Sequence, residues 1–160
     1  MITLTPSVFR PGDRATDFSW MIDRAPWRGT TLFVFNDNLG QSTAFLDQVD
    51  AGSVEPGSLA CQRGGGNAAI RPYQCASPPA AAGVPTGPGF AGLGDAQPPI
   101  DRALSHVGRL LATGRFSEVI YSADARDPSL LGHSIFQVPP DVRRYVPARL
   151  RALVDEANAS

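Results

Sequence analysis

The chain has 160 residues, enough for one globular domain with a sizeable core and short for two. Hydrophobic residues make up 42% and charged ones 18%, the balance of a folded domain, and a formal net charge of −1 supplies no overall field to hold a polyanion such as duplex DNA. All 14 basic residues are arginine, and the absence of lysine removes the Walker A phosphate loop, Schiff-base and pyridoxal-phosphate chemistry, and Ser-Lys dyads.

Residues 1–29 show little periodicity, yet Phe9, Phe18, Trp20, Met21 and Trp27 are too many large apolar groups for a disordered tail. They read as an irregular segment packed on the domain, with a short helix near Asp17–Asp23, and as a candidate lid or oligomer contact. The domain proper then spans residues 30–160. Thr31 to Phe35 is β-branched, aromatic and almost wholly apolar, which predicts a strand buried on both faces. It runs into Asn36, Asp37 and Asn38, the polar ending expected of an interior parallel strand at the ligand-binding edge of a sheet.

Leu39, Ser42, Phe45, Leu46 and Val49 recur at helical spacing, predicting a helix over 39–50 with Asn38 as its cap. A loop rich in glycine follows, then a short helical or extended piece around Pro72. The Pro, Gly and Ala tract from 77 to 99 reads either as a linker or, at Val84-Pro85-Thr86, as a short edge strand. Ile100, Ala103, Leu104, Val107, Leu110 and Leu111 make one helical stripe opened by Pro98 and Pro99, with His106 at its boundary. Phe116 to Ala123 predicts a second interior strand. Pro139 and Pro140 open a C-terminal helical segment that Pro147 is expected to break. Strands alternating with helices give the expected class: a three-layer α/β domain, its sheet mainly parallel or mixed and flanked by helices.

The absence of a basic start followed by an apolar stretch, and of any apolar run long enough to span a membrane, predicts a cytoplasmic protein with Cys61 and Cys75 as reduced thiols. A disulfide and a zinc site are the rival readings. Zinc needs four donors, and the chain offers only His106 and His133 besides carboxylates, so no metal is expected. Nor is any cofactor.

Between the cysteines lies Arg63-Gly64-Gly65-Gly66-Asn67-Ala68-Ala69-Ile70-Arg71. Three successive glycines can turn their N–H groups toward one anion and let it come close, and Arg63 and Arg71 can add charge-assisted bonds to phosphate oxygens. Arg71 and Tyr73 either reach over the cleft to stack on a base, or Arg71 pairs with a carboxylate while Tyr73 fills the core. Four loops are expected at one edge: Asn36 to Asn38, the glycine triplet, Gly83 to Phe90 with Thr86 and Gly87 inside it, and Leu130 to Phe136. Meeting at a topological switch point, they would make a cleft; the bland alternative is ordinary turns. His133 has the chemistry of a general acid or base, and Asp37 that of a water-orienting group or a plain turn former. No Gly-x-Ser-x-Gly elbow occurs.

The order Asn36-Asp37-Asn38, then Gly64-Gly65-Gly66 with Ala69-Ile70, then a helix, a strand and Gly132-His133-Ser134-Ile135-Phe136 before a last helix, resembles macro domains and their phage-encoded relatives. That resemblance implies an ADP-ribose-type ligand. Gly64 to Gly66 and Gly132 to Ile135 would bind the diphosphate, Asn36 or Asn38 the distal ribose, and Phe136 a sugar or base. Asp23 is the candidate for the family's adenine-recognising acid. The implied activity is hydrolysis of an ADP-ribosyl ester or terminal phosphate, with Asn38, Asp37 or His133 positioning water. An ADP-ribosylated macromolecule is a further implied partner. A binder without turnover and a structural protein are the competing classes.

Overall fold

The computed structural model describes residues 1–133 and 137–160. Four strands, β1 (Thr3–Ser7), β2 (Thr31–Asn38), β3 (Ala81–Gly87) and β4 (Glu118–Ser122), form one sheet in the order β1-β4-β2-β3. All three pairings are parallel. Helices cover both faces, giving the expected three-layer α/β domain.

Alternation along β2 sorts its apolar run into two cores. Leu32 and Val34 face α2 (Leu39–Asp50), α3 (Leu93–Leu111) and α4 (Pro140–Ala159), where they join Phe45, Ile100, Val107, Val142 and Leu150. Phe33 and Phe35 face the other way, onto Phe18 and Met21 of the short helix α1 (Phe18–Met21) and Ile70 of a 3-10 helix, Gly66–Gln74. Phe18 meets Phe33 edge to face at 5.2 Å. The doubly buried β2 therefore anchors every layer, and its polar end is delivered wherever the layers leave a gap.

Several expectations need correction. The N-terminal segment is not merely irregular: Thr3–Ser7 is the edge strand β1, in register with Glu118 to Ser122. Its single buried side chain, Leu4, and its internal Pro6 conceal it from a periodicity argument, while a parallel edge tolerates the proline. Helix α3 starts at Leu93, five residues before Pro98, because the Asp95 carboxylate accepts the N–H groups of Ala91 (2.9 Å) and Gly92 (3.1 Å) and caps an earlier turn. Helix α4 runs through Pro147 unbroken. The missing N–H of Pro147 frees the Arg143 carbonyl one turn earlier, and that carbonyl accepts the Leu131 N–H at 2.8 Å. The proline thus ties the loop after β4 to the helix.

The cysteines are not free thiols. Cys61 and Cys75 form a disulfide with Cα atoms 6.0 Å apart, joining the 3-10 turn Leu59–Cys61 to the end of the Gly66–Gln74 helix. Their separation of 14 residues gave no sign of pairing; it is the return of the chain around the glycine turn that brings them together. Among the described residues no helix is long and apolar enough to cross a membrane.

Candidate functional site

From β2 the chain steps outward to β3 and then crosses back to insert β4 between β1 and β2. Such a reversal opens a crevice at the carboxyl ends of the strands. A cleft of about 1000 Å³ lies there. Its lining includes Val8 beyond β1, Asn36 to Asn38 of β2, Thr86 of β3, and Ser122 to Ala125 at the end of β4. The glycine segment 63–69 forms one wall, and Gly132, His133 and Val138 stand on the other. Three of the four loops expected to converge therefore do so, together with Thr86 from the fourth. Gly87 ends β3 at φ 143° and is not among the lining residues. Ser134, Ile135 and Phe136 lie outside the described residues.

The glycine wall is built on a buried ion pair. The Asp37 side chain is fully buried and that of Arg71 is 4% exposed. Arg71 donates from Nε and Nη2 to the Asp37 carboxylate and from Nη1 to the Gln62 carbonyl at 2.8 Å. A Cβ on Gly64 would lie 2.8 Å from Arg71 Nη1, so only glycine lets the turn rest on the guanidinium. Gly83 makes the same allowance on β3, where a Cβ would come within 3.0 Å of Asp37 Oδ2. Burial pushes the Asp37 carboxyl above its ordinary value, opposed by the Arg71 hydrogen bond and charge and by the Asn38 N–H. Of the two readings of Arg71, its geometry is that of the carboxylate-paired one. Tyr73 packs half-buried against the second core, its hydroxyl 3.4 Å from Asp23.

Gly66 turns at φ 56°, in the left-handed region, and starts the 3-10 helix. Gly65 and Arg63 are exposed on the cleft side, and Asn67 is half-buried beside them. Asn38 caps α2 as expected, its Oδ1 accepting the Gln41 N–H at 2.8 Å. Asn36 donates from Nδ2 to the Gly132 carbonyl at 2.7 Å and so ties β2 to the opposite wall. His133 is exposed at the cleft edge.

The opposite wall hangs on Arg143. Its side chain donates to the Leu131 carbonyl and to Asp124 Oδ1, both at 2.8 Å, while Gly132 N–H donates to the Ser122 carbonyl at 2.9 Å. A Cβ on Gly132 would meet the Ala123 carbonyl oxygen at 3.0 Å. The N–H of Arg126, with Arg143 and the Asp127 N–H, holds Asp124 below the usual carboxylate range.

Phe9 and Asp17, from the segment read as a candidate lid or oligomer contact, also line the cleft, as do Ser19 and Gln41, which the sequence does not mark as site residues. Phe9 is 53% exposed, an aromatic face at the mouth. Asp23 is not among the lining residues; it is exposed and beside Arg24. The aromatic content of residues 9–19 marks the segment as packed but not where, because only the position of β1 brings it to the edge. Among the described residues no group of three His, Cys, Asp or Glu side chains is placed to hold a metal.

The fold and cleft define a class: a parallel three-layer α/β domain with a crevice of mixed polar and apolar lining at its switch point. No family model matches the chain, no curated protein matches its sequence and no solved structure matches its fold.

Proposed function

We propose that the cleft binds an ADP-ribose-type nucleotide derivative and that the protein hydrolyses a bond at its distal ribose, releasing ADP-ribose from a conjugate or phosphate from a terminal ester. The observation that carries the reading is the Gly64–Gly66 turn, held open by Arg71 at the edge of a large switch-point crevice, with Arg63 exposed beside it. The N–H of Gly64 is donated to the Ala68 carbonyl at 3.0 Å, so the N–H groups of Gly65 and Gly66 are the backbone donors that take the diphosphate. Asn38 keeps Nδ2 for a ribose hydroxyl while Oδ1 caps α2. His133 is the exposed group able to move a proton from water.

Binding without turnover is the second reading, favoured by one observation: Asp37 is sealed beneath the turn by Arg71 and serves to position the wall. Release of ADP-ribose or phosphate from model substrates separates the two. The hydrolytic reading expects turnover that is lost in Asn38→Ala and His133→Ala proteins that still fold and bind; binding without turnover in the unaltered protein would leave the second. A cytoplasmic setting belongs to this proposal. The Cys61–Cys75 bridge weighs against it, because disulfides form and persist chiefly in oxidising compartments.

A further inference from the structure

Register between β2 and β3 runs Asp37↔Pro85 and then Asn38↔Gly87, leaving Thr86 as the unmatched residue of a bulge. Bulges re-aim side chains beside sites. Thr86 lines the cleft yet is 1% exposed, and its Oγ1 has no hydrogen-bond partner among the described residues. A buried hydroxyl left unpaired costs more than a paired one returns, so its place in the cleft wall calls for a partner that arrives from the cleft.

Directly across the bulge α2 begins. It is 12 residues long, and the N–H groups of Leu39 and Gly40 have no carbonyl inside the helix to donate to. Gly40 is exposed, and Asn38 and Gln41 line the cleft on either side of that turn. Register places Asn38 opposite Gly87, so the Thr86 hydroxyl, the Asn38 amide and the first-turn N–H groups of α2 are neighbours in the fold at the positive end of a helix dipole. That donor set suits a tetrahedral oxyanion better than a flat carboxylate.

We propose that, beside Asn38, Thr86 Oγ1 and the first turn of α2 form a second oxyanion position in the cleft, which takes a phosphate monoester group separate from the diphosphate on Gly64–Gly66. The inference rests on the reading of the cleft as a phosphate site and narrows its ligand to one bearing two separated phosphate groups.

Inorganic phosphate is the probe, followed by amide chemical shifts of the full chain. The expected result is two saturable sets of shifts, one at Leu39 and Gly40 and one at Gly64 to Gly66. Thr86→Val, which keeps the shape and removes the hydroxyl, weakens the first set about tenfold and leaves the second unchanged. Thr86→Ser restores the first set, and the Thr86→Val protein melts no lower than the parent, since an unpaired hydroxyl has gone. Shifts confined to the glycine turn overturn the second position alone. Shifts confined to α2 uphold it and sink the glycine cradle. No shift at either place, or an α2 set indifferent to Thr86→Val, overturns the inference.

Discussion

The two walls of the cleft are fixed by different physics. The glycine wall stands on a buried charge pair and is closed by a disulfide, so both electrostatics and covalent topology hold its backbone. The opposite wall, residues 123 to 132, depends on carbonyls and N–H groups shared with one arginine and with a helix that a proline has opened. A wall that must hold N–H groups toward an anion gains from rigidity, because donors held in place lose no freedom when the ligand arrives. Under the proposed function, anion binding falls to the first wall.

The largest test of that contrast removes the charge under the glycines. Arg71→Met leaves the Asp37 carboxylate buried without its partner, and breaking such a pair costs about 3–5 kcal/mol of stability by urea unfolding. Asp37→Asn with Arg71 intact strands the guanidinium instead and is expected to cost a similar amount. If either variant unfolds at the parent's midpoint, the pair is not the foundation described. Opening the covalent closure comes next. Replacing Cys61 and Cys75 together by alanine returns loop entropy to the unfolded chain and lowers stability by about 3 kcal/mol, while the Asp37–Arg71 contacts keep the turn in place.

A pH test falls outside both walls. His106 lies between α2 and α3, 9% exposed, its ring against Phe45 and both ring nitrogens without partners among the described residues. Desolvation, helped by Arg109 and opposed by Asp50, pushes it down to about 4. The unfolded chain then binds the proton more readily, so the stabilisation is complete above about pH 6.5 and is lost as pH falls toward 4, by about 3 kcal/mol. His106→Phe should flatten that slope while leaving ligand affinity at neutral pH unchanged; a slope that survives the substitution would place the proton elsewhere. The smallest effect belongs to the second wall. Arg143→Ala should cost about 1–2 kcal/mol and raise amide exchange at Leu131 and Gly132 without altering exchange at Gly64 to Gly66. Faster exchange at both walls would show that they are one unit.

The sequence spoke clearly where the physics is local. The run Thr31 to Phe35 is apolar on both faces because it is buried on both, and α2 begins and ends where its cap and stripe place it. The glycine triplet and the Asn-Asp-Asn ending were legible as cleft residues because a strand end and a glycine turn each carry their own signature. What stayed hidden was non-local. Asp37 looks available in sequence and is consumed by an arginine 34 residues away. Pro147 reads as a helix breaker until Leu131 supplies a donor for the carbonyl it frees. Phe9 and Asp17 reach the cleft only because five unremarkable residues form a strand beside β4.

Calorimetric titration with ADP-ribose, with AMP and NAD as comparisons, tests the central claim most directly. The account predicts micromolar one-to-one binding of ADP-ribose that disappears in Gly65→Glu, whose carboxylate would stand where the diphosphate sits, with the circular dichroism of the parent retained. Absence of binding by all three nucleotides at millimolar concentration, or binding indifferent to Gly65→Glu, would contradict it.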